Sequence, residues 1–292
     1  MKIGIFAAMA SPFATADYIR ALGTAADERG FHSIWIGEHV VLFDEYGSRY
    51  PYADDGKIAI PDESGLLDPF AALNFLAAVT RRVRLGTGVC LVPQRNPVYT
   101  AKAVASLDWV SNGRFDFGVG IGWLEEEFRA LEAPFARRAA RTRSYLEVMR
   151  RLWCDAISEY ADELYTLPAC RQYPKPLQQP HPPIYFGGES DAALRRVADL
   201  GQGWFAFNIL PDAVVERVRA LDALLAARGR TRAEVRINIC PYMQASDFDT
   251  VQRYRDAGVE QVTLMPIAFD PDGVRALLDQ LAETIVEPAR RL

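Results

Sequence analysis

Eight short apolar runs, none longer than six residues, recur along the chain with enough sequence between them for a helix: Lys2–Phe6, Ser33–Gly37, Val83–Gly88, Phe115–Val119, Ile184–Phe186, Gly203–Phe207, Val235–Cys240 and Gln261–Met265. Strands separated by helical crossovers pair in parallel, and eight β/α units is the number that closes a barrel. The expected fold is therefore an α/β chain of (β/α)8 TIM-barrel type, with residues 1–292 forming one domain. An open doubly wound sheet is the weaker reading, because no G-x-G-x-x-G follows the first run.

Capping residues sharpen the helix boundaries. Thr15 can cap a helix that Gly30 closes, and Asp68-Pro69 and Asn96-Pro97 each place a cap before a proline at the first helical position. The Asn96 helix ends near Gly113. Further helices are predicted over Arg137–Trp153, Ser190–Leu200 and Asp212–Arg228 with Gly229 behind it, then one ending at Gly258 and a terminal one. Met1–Ala16 has some features of a leader. The count of eight needs Lys2–Phe6 as a strand, so the segment is read as the barrel's start and the protein is expected in the cytoplasm.

Composition narrows the function classes. Half the 292 residues are hydrophobic and 24% are charged, values of a chain that buries a core rather than of a disordered one. A net charge of -5 argues against nucleic acid as a partner. No apolar run approaches the roughly 20 residues of a membrane span. Cys90, Cys154, Cys170 and Cys240 are scattered, and His32, His39 and His181 show no ligand spacing, so neither a disulfide framework nor a metal site is expected.

Two connections are too long to be plain loops. Val40–Leu67 follows the second strand with Phe43, Tyr46, Tyr50 and Tyr52, on the side where barrel active sites form, and reads as substrate-facing. Asp155–Pro183 follows a helix and reads as a flap or an oligomer contact.

Candidate site residues cluster at strand ends. Gly118-Val119-Gly120-Ile121-Gly122-Trp123 lets a flat ligand approach backbone, or else makes a tight turn beside a core Trp. Gly187-Gly188-Glu189-Ser190 opens a helix whose free amides suit phosphate; ordinary capping by Ser190 is the alternative, and Glu189 would repel phosphate if it turned inward. Glu38-His39 sits at the rim, where an imidazole can pass protons or serve only as a structural histidine. Cys90 reads as a packing residue. Glu125-Glu126-Glu127 reads as a solvated first turn, although a carboxylate pair drawn from Glu38 and this run would suit a metal-free hydrolase. Neither G-x-S-x-G nor a P-loop is present.

Gly30–His39 (G-F-H-S-I-W-I-G-E-H), Leu85–Val89 (L-G-T-G-V), Arg95–Pro97, Ser111–Trp123 (S-N-G-R-F-D-F-G-V-G-I-G-W), Pro174–Pro176, His181–Gly188 (H-P-P-I-Y-F-G-G) and Gly201–Trp204 (G-Q-G-W) together resemble the luciferase-like monooxygenase family, most closely its branch using the deazaflavin coenzyme F420. The resemblance runs along nearly the whole chain. It implies a barrel holding a deazaflavin or, as the alternative, FMN at its C-terminal mouth. The ring would lie against Thr87, Gly88 and Val89 and against Gly120, Ile121, Gly122 and Trp123, with a cis Gly88–Val89 bond beneath it. The cofactor phosphate would fall on Gly187, Gly188, Glu189 and Ser190.

By the same resemblance His39 lies near the reactive nitrogen as a proton relay, with Glu38 orienting it, while Trp123, Tyr46 and Tyr50 shape the substrate pocket. Trp123 stands where a sugar-phosphate dehydrogenase relative has an acid, so that substrate class is not expected. Glu38 and Gln202 stand where relatives carry Asp. The activity expected is hydride transfer between reduced deazaflavin and a small organic substrate, in a homodimer that a flavin or F420 reductase can feed. The alternatives are a two-component FMN monooxygenase, a metal-free hydrolase and a non-catalytic flavin-binding protein.

Overall fold

The computed structural model describes residues 1–61, 63–244 and 246–292; the Val40–Leu67 connection thus includes one residue, 62, outside the described set. The eight expected runs form the wall of a closed parallel barrel. They are β1 (Lys2–Ala7), β2 (Ser33–Ile36), β3 (Arg84–Thr87) with its short continuation β4 (Cys90–Leu91), β5 (Phe115–Gly120), β8 (Ile184–Gly187), β9 (Gly203–Phe207), β10 (Arg236–Cys240) and β11 (Gln261–Leu264). Lys2 pairs with Gln261 and Leu85 with Phe115, which closes the ring on both sides of β1–β3. The third strand is broken at Gly88–Val89, whose peptide bond is cis, and resumes as β4 against Val119 and Gly120.

Helices fill the outside where the caps indicate. In α1 (Ala16–Arg29) the Thr15 hydroxyl accepts from Tyr18 N, and Gly30 closes the helix at φ 75°. The helices α2 (Pro69–Val79) and α3 (Pro97–Val110) begin on Asp68 and Asn96, and α6 (Asp191–Leu200) on Ser190. The remaining helices are α4 (Glu125–Ala130), α5 (Arg138–Cys154), α7 (Pro211–Ala226), α8 (Phe248–Asp256), α9 (Pro271–Leu281) and α10 (Glu287–Ala289). Leu22, Leu73, Val104, Met149, Val197 and Leu221 are wholly buried between this ring and the strands.

The barrel interior is packed rather than hollow. At the N-terminal end, Arg84 forks onto Asp116 (2.8 and 2.6 Å) across the β3–β5 seam. Above it, Gln261 donates to Ser33 and Thr263, and Thr263 to Asn238. The next layer is aromatic: Trp35 stacks on Phe205 at 4.7 Å and meets Tyr185 edge-on. Gly86 gives that indole its room, since a Cβ there would lie 2.5 Å from the Trp35 ring. The lower barrel is thus filled with side chains, and the strand ends at the C-terminal mouth are where a barrel of this kind binds its ligand.

The second long connection is not a plain loop. It contains an antiparallel hairpin, β6 (Ser158–Ala161) and β7 (Thr166–Cys170), that the sequence reading missed. Lys175 donates to Leu152 O and Asp155 O at the end of α5, and Gln178 reaches Asp108 on α3. These anchors keep the segment outside the barrel.

Candidate functional site

Two clusters of side chains face each other across the C-terminal mouth. The first lies at the ends of β2, β4 and β5. Glu38 is 5% exposed, and its carboxylate accepts from Leu91 N (2.6 Å) and from Arg95 Nε (2.6 Å), with a second contact from Arg95 Nη2. Arg95 also reaches Asp68, the cap of α2, at 2.8 Å, and its guanidinium lies over Phe70. Although burial alone would pull it down, the charge of Glu38 holds the Arg95 proton affinity above the usual range. Glu38 is therefore a bracket between β2, β4 and α2.

Glu38 does not orient His39, contrary to the sequence expectation. His39 Nδ1 instead meets Glu127 Oε2 at 3.1 Å, a contact between residues 88 apart in sequence. Glu127 is wholly buried, which overturns its reading as part of a solvated turn. Its Oε2 also takes Gln94 Nε2 (3.0 Å), and its Oε1 takes Val40 N (2.6 Å) and Val41 N (3.4 Å). Burial raises its proton affinity, but these donors outweigh burial and hold the carboxyl below the ordinary range. Glu126 Oε1 accepts from Gly47 N (2.7 Å) and Ser48 N (3.3 Å), while Glu125 N donates to Ser48 Oγ. The acidic first turn of α4 thus clamps the start of the Val40–Leu67 loop over the mouth. Because each of these carboxylates is engaged by its own donors, they do not form the free converging pair a hydrolase requires.

The clamped loop delivers an aromatic series. Trp123 lies edge-on to His39 (5.6 Å) and Tyr46 (5.7 Å) and packs on Tyr50 (5.2 Å). Tyr50 then meets Tyr52, Tyr52 meets Phe207 at 5.0 Å, and Phe207 meets Tyr242 and Phe6. The structure so brings together Trp123, Tyr46 and Tyr50, three residues chosen from sequence as substrate-facing. With them comes Tyr52 of the same loop, and the structure adds Phe207, Tyr242 and Phe6 from three other segments of the chain.

The second cluster lies at the ends of β3, β5 and β8. Val89 is its hub: a Cβ on Gly120 would lie 2.5 Å from Val89 Cγ2, and one on Gly187 would lie 3.0 Å from Cγ1. The expected ring seat and phosphate seat are thus contiguous through one side chain. Thr87 is buried with its hydroxyl engaged by Gly118 O (2.7 Å). Gly122, beyond Ile121, has φ 77°, and its carbonyl accepts from Arg138 Nε. Gly188, at φ 101°, turns the chain so that its carbonyl accepts from Trp204 Nε1 (2.9 Å) and Ser190 Oγ caps Ala193 N (3.2 Å).

Glu189 does turn inward. Its Oε1 accepts from Phe207 N at 2.7 Å, and its Oε2 lies 3.1 Å from the Tyr52 hydroxyl. Burial outweighs its donors, Phe207 N and Tyr52 among them, and pushes its carboxyl up to about 7; no cation stands beside it among the described residues. By pointing at Phe207, Glu189 leaves the α6 N-terminus to backbone amides and Ser190. Further along α6, Arg196 Nε has no hydrogen-bond partner among the described residues, and its charge faces those of Arg138, Arg195 and Arg143. The α6 N-terminus, with Gly188 at positive φ before it, fits the anionic end of a flavin-type cofactor. Cys90 is buried and its thiol is pushed up, in keeping with packing.

Among the described residues no group of three or more His, Cys, Asp or Glu is placed to hold a metal ion. No helix is long and apolar enough to cross a membrane.

Comparison with known proteins places this architecture in a class. The luciferase-like monooxygenase profile matches residues 1–286, and the chain belongs to that family. It is 30% identical over 267 residues to an uncharacterized protein of Mycobacterium tuberculosis, covering 90% of this chain and 92% of the relative. It is 32% identical over 162 residues to the oxygenase component of the flavin-dependent trigonelline monooxygenase of Acinetobacter baylyi, spanning 55% of this chain and 39% of that protein. In fold it matches an F420-dependent secondary alcohol dehydrogenase solved with an F420–acetone adduct, with a TM-score of 0.77 at 18% identity over 98% of both chains. Its similar proteins thus include both flavin- and F420-dependent enzymes.

Proposed function

We propose that this chain is an oxidoreductase that moves a hydride between reduced deazaflavin coenzyme F420 and a small organic substrate at the barrel mouth. The observation that carries the reading is that Val89 lies against both Gly120 and Gly187, which would join a ring seat on β3 and β5 to an anion seat on β8 and α6. Thr87, Gly88, Val89, Gly120, Ile121 and Gly122 would line the ring, and Gly187, Gly188, Ser190 and the α6 amides would take the phosphate. When bound, the cofactor supplies or accepts the hydride, and the protein binds, orients and excludes water.

His39 is the proton carrier on the β2 side. With Glu127 beside Nδ1, the imidazole presents its other nitrogen to the mouth, and the carboxylate fixes the ring's orientation as the third member of a relay does. Glu38 supports this rim through Arg95. Trp123, Tyr46 and Tyr50 shield the reacting atoms and shape an apolar substrate pocket. The proposal includes a homodimer, a cytoplasmic location and supply by a flavin or F420 reductase.

The FMN monooxygenase reading is favoured by the likeness to the flavin-dependent A. baylyi enzyme. Titrating the purified protein with FMN and with F420 separates the two. Tighter binding of F420 is expected; a preference for FMN of more than tenfold, about 1.4 kcal/mol, together with oxygen uptake on adding reduced FMN, would reverse the order.

A further inference from the structure

The β8 side of the mouth holds a carboxyl group with no place in the chemistry described so far. Glu189 sits at the entrance of the anion seat, where a carboxylate is the wrong charge, yet it is drawn inward and bonded. Its two oxygens are inequivalent: Oε1 accepts from Phe207 N at 2.7 Å and lies 3.4 Å from the Tyr52 hydroxyl, whereas among the described residues Oε2 has the Tyr52 hydroxyl alone, at 3.1 Å. The titratable groups around the pair are Tyr50 on the same loop, Cys240 on β10 and Tyr242 beyond it, none of them a cation. Burial and Glu189 itself push the Tyr52 phenol well up, so that it keeps its proton. Tyr52 is packed between Tyr50 and Phe207, in the aromatic series that begins at His39.

We propose that Tyr52 is a second proton donor of this site, that Glu189 acts through it as a positioning and recharging residue, and that the substrate's reacting centre is an oxygen function, a carbonyl or an alcohol. The proposal rests on the oxidoreductase reading above. With the proton on Oε2, Glu189 donates to the Tyr52 oxygen and frees the phenol proton for a ligand. In the reductive direction a substrate carbonyl carbon gains a hydride from the reduced flavin-type cofactor. The C=O π pair moves onto oxygen, that oxygen takes the Tyr52 proton, and the Glu189 proton restores the phenol. Alcohol oxidation reverses each step. A proton reservoir such as Glu189, lifted to about 7, suits the recharging of the phenol, and two carboxyl groups pushed in opposite directions, Glu127 down and Glu189 up, are what separate acid and base roles require.

The test has three readouts on the whole protein. Carbon-13 NMR of protein labelled at the Glu side-chain carboxyls should show one group titrating near neutral pH, absent in Glu189→Gln and moved upward in Tyr52→Phe. Cofactor titration by fluorescence comes second: failure of wild type to bind either FMN or F420 would sink the oxidoreductase reading and the redox step with it. Third, cofactor-loaded protein is assayed against a panel of simple ketones, aldehydes and secondary alcohols across pH 5–9. Glu189→Gln should lose the neutral limb of the kcat profile, Tyr52→Phe should cut kcat by about 10²-fold, and Glu189→Asp should restore part of the limb. If cofactor binds normally but no neutral carboxyl exists, the profile is unmoved in Glu189→Gln, or no carbonyl or alcohol turns over, this inference alone is wrong.

Discussion

The two sides of the barrel mouth treat buried carboxylates in opposite ways. On the β2–β5 side two buried carboxylates are well supplied: Glu38 has Arg95 and Leu91 N, and Glu127 has four donors. On the β8–β9 side Glu189 has one amide and one phenol. Burial is common to both, so the donor count decides the sign: Glu127 is held below the carboxylate range, and Glu189 is lifted to about 7. On the first side Glu127 is favoured as the anion, whereas on the second Glu189 is favoured as the neutral acid up to about pH 7.

The largest expected effect breaks the well-supplied side. Arg95→Met leaves Glu38 buried without its cation and should cost about 3–5 kcal/mol, read as a lowered urea midpoint at unchanged m-value. A loss under 1 kcal/mol would mean that the bracket is not what holds β2, β4 and α2 together.

Glu127→Gln comes next. It keeps the volume but removes the charge from four donors, and a loss of about 2–3 kcal/mol is expected. A carboxyl lowered in the native state contributes stability above its ordinary pKa that disappears as pH falls through the native value. The deficit of Glu127→Gln should therefore shrink on acidification. Limited proteolysis within 40–48 should also speed up, and an unchanged cleavage rate would separate the clamp from Glu127.

The opposite sign is expected on the other side. A carboxyl raised in the native state contributes stability that is full below its ordinary value and lost as pH rises through about 7. Glu189→Gln should thus gain about 1–3 kcal/mol over wild type on going from pH 5 to pH 8, measured by paired urea curves. A gain independent of pH would remove the contrast between the two sides.

The smallest effect is Ser190→Ala, which loses the α6 cap for about 1 kcal/mol. If the hydroxyl also lines the proposed anion seat, cofactor affinity should fall with it in an FMN or F420 titration; an unchanged affinity would leave Ser190 a cap only.

What could be read from the sequence follows the range of the interactions involved. Thr15, Asp68, Asn96 and Ser190 announce their helices because a cap bonds an amide two or three residues ahead. The eight strands were visible because each is a continuous apolar run between helical crossovers. The hairpin β6–β7 was not, since its strands are four and five residues long and each buries a single residue, Ser158 and Leu167. Trp123, Tyr46 and Tyr50 were legible as a group through their aromatic character and their place after strand ends. The partners of His39 and Glu38 were not: Glu127 and Arg95 lie 88 and 57 residues away, and only barrel closure brings them into contact. The adjacent Glu38 was the obvious local choice for His39, but its carboxylate is turned to β4 and Arg95 instead. Glu189 could be flagged as awkward beside phosphate, whereas its contact with Phe207 depends on the register of β9.

Glu127 divides its two oxygens between different tasks, Oε1 holding the backbone of Val40 and Val41 and Oε2 holding the His39 ring. Loop position and imidazole alignment are therefore not independent variables. Any movement that lifts the chain at Val40 changes the company the imidazole keeps, so under the proposed function covering the mouth and readying the proton carrier would be one event rather than two.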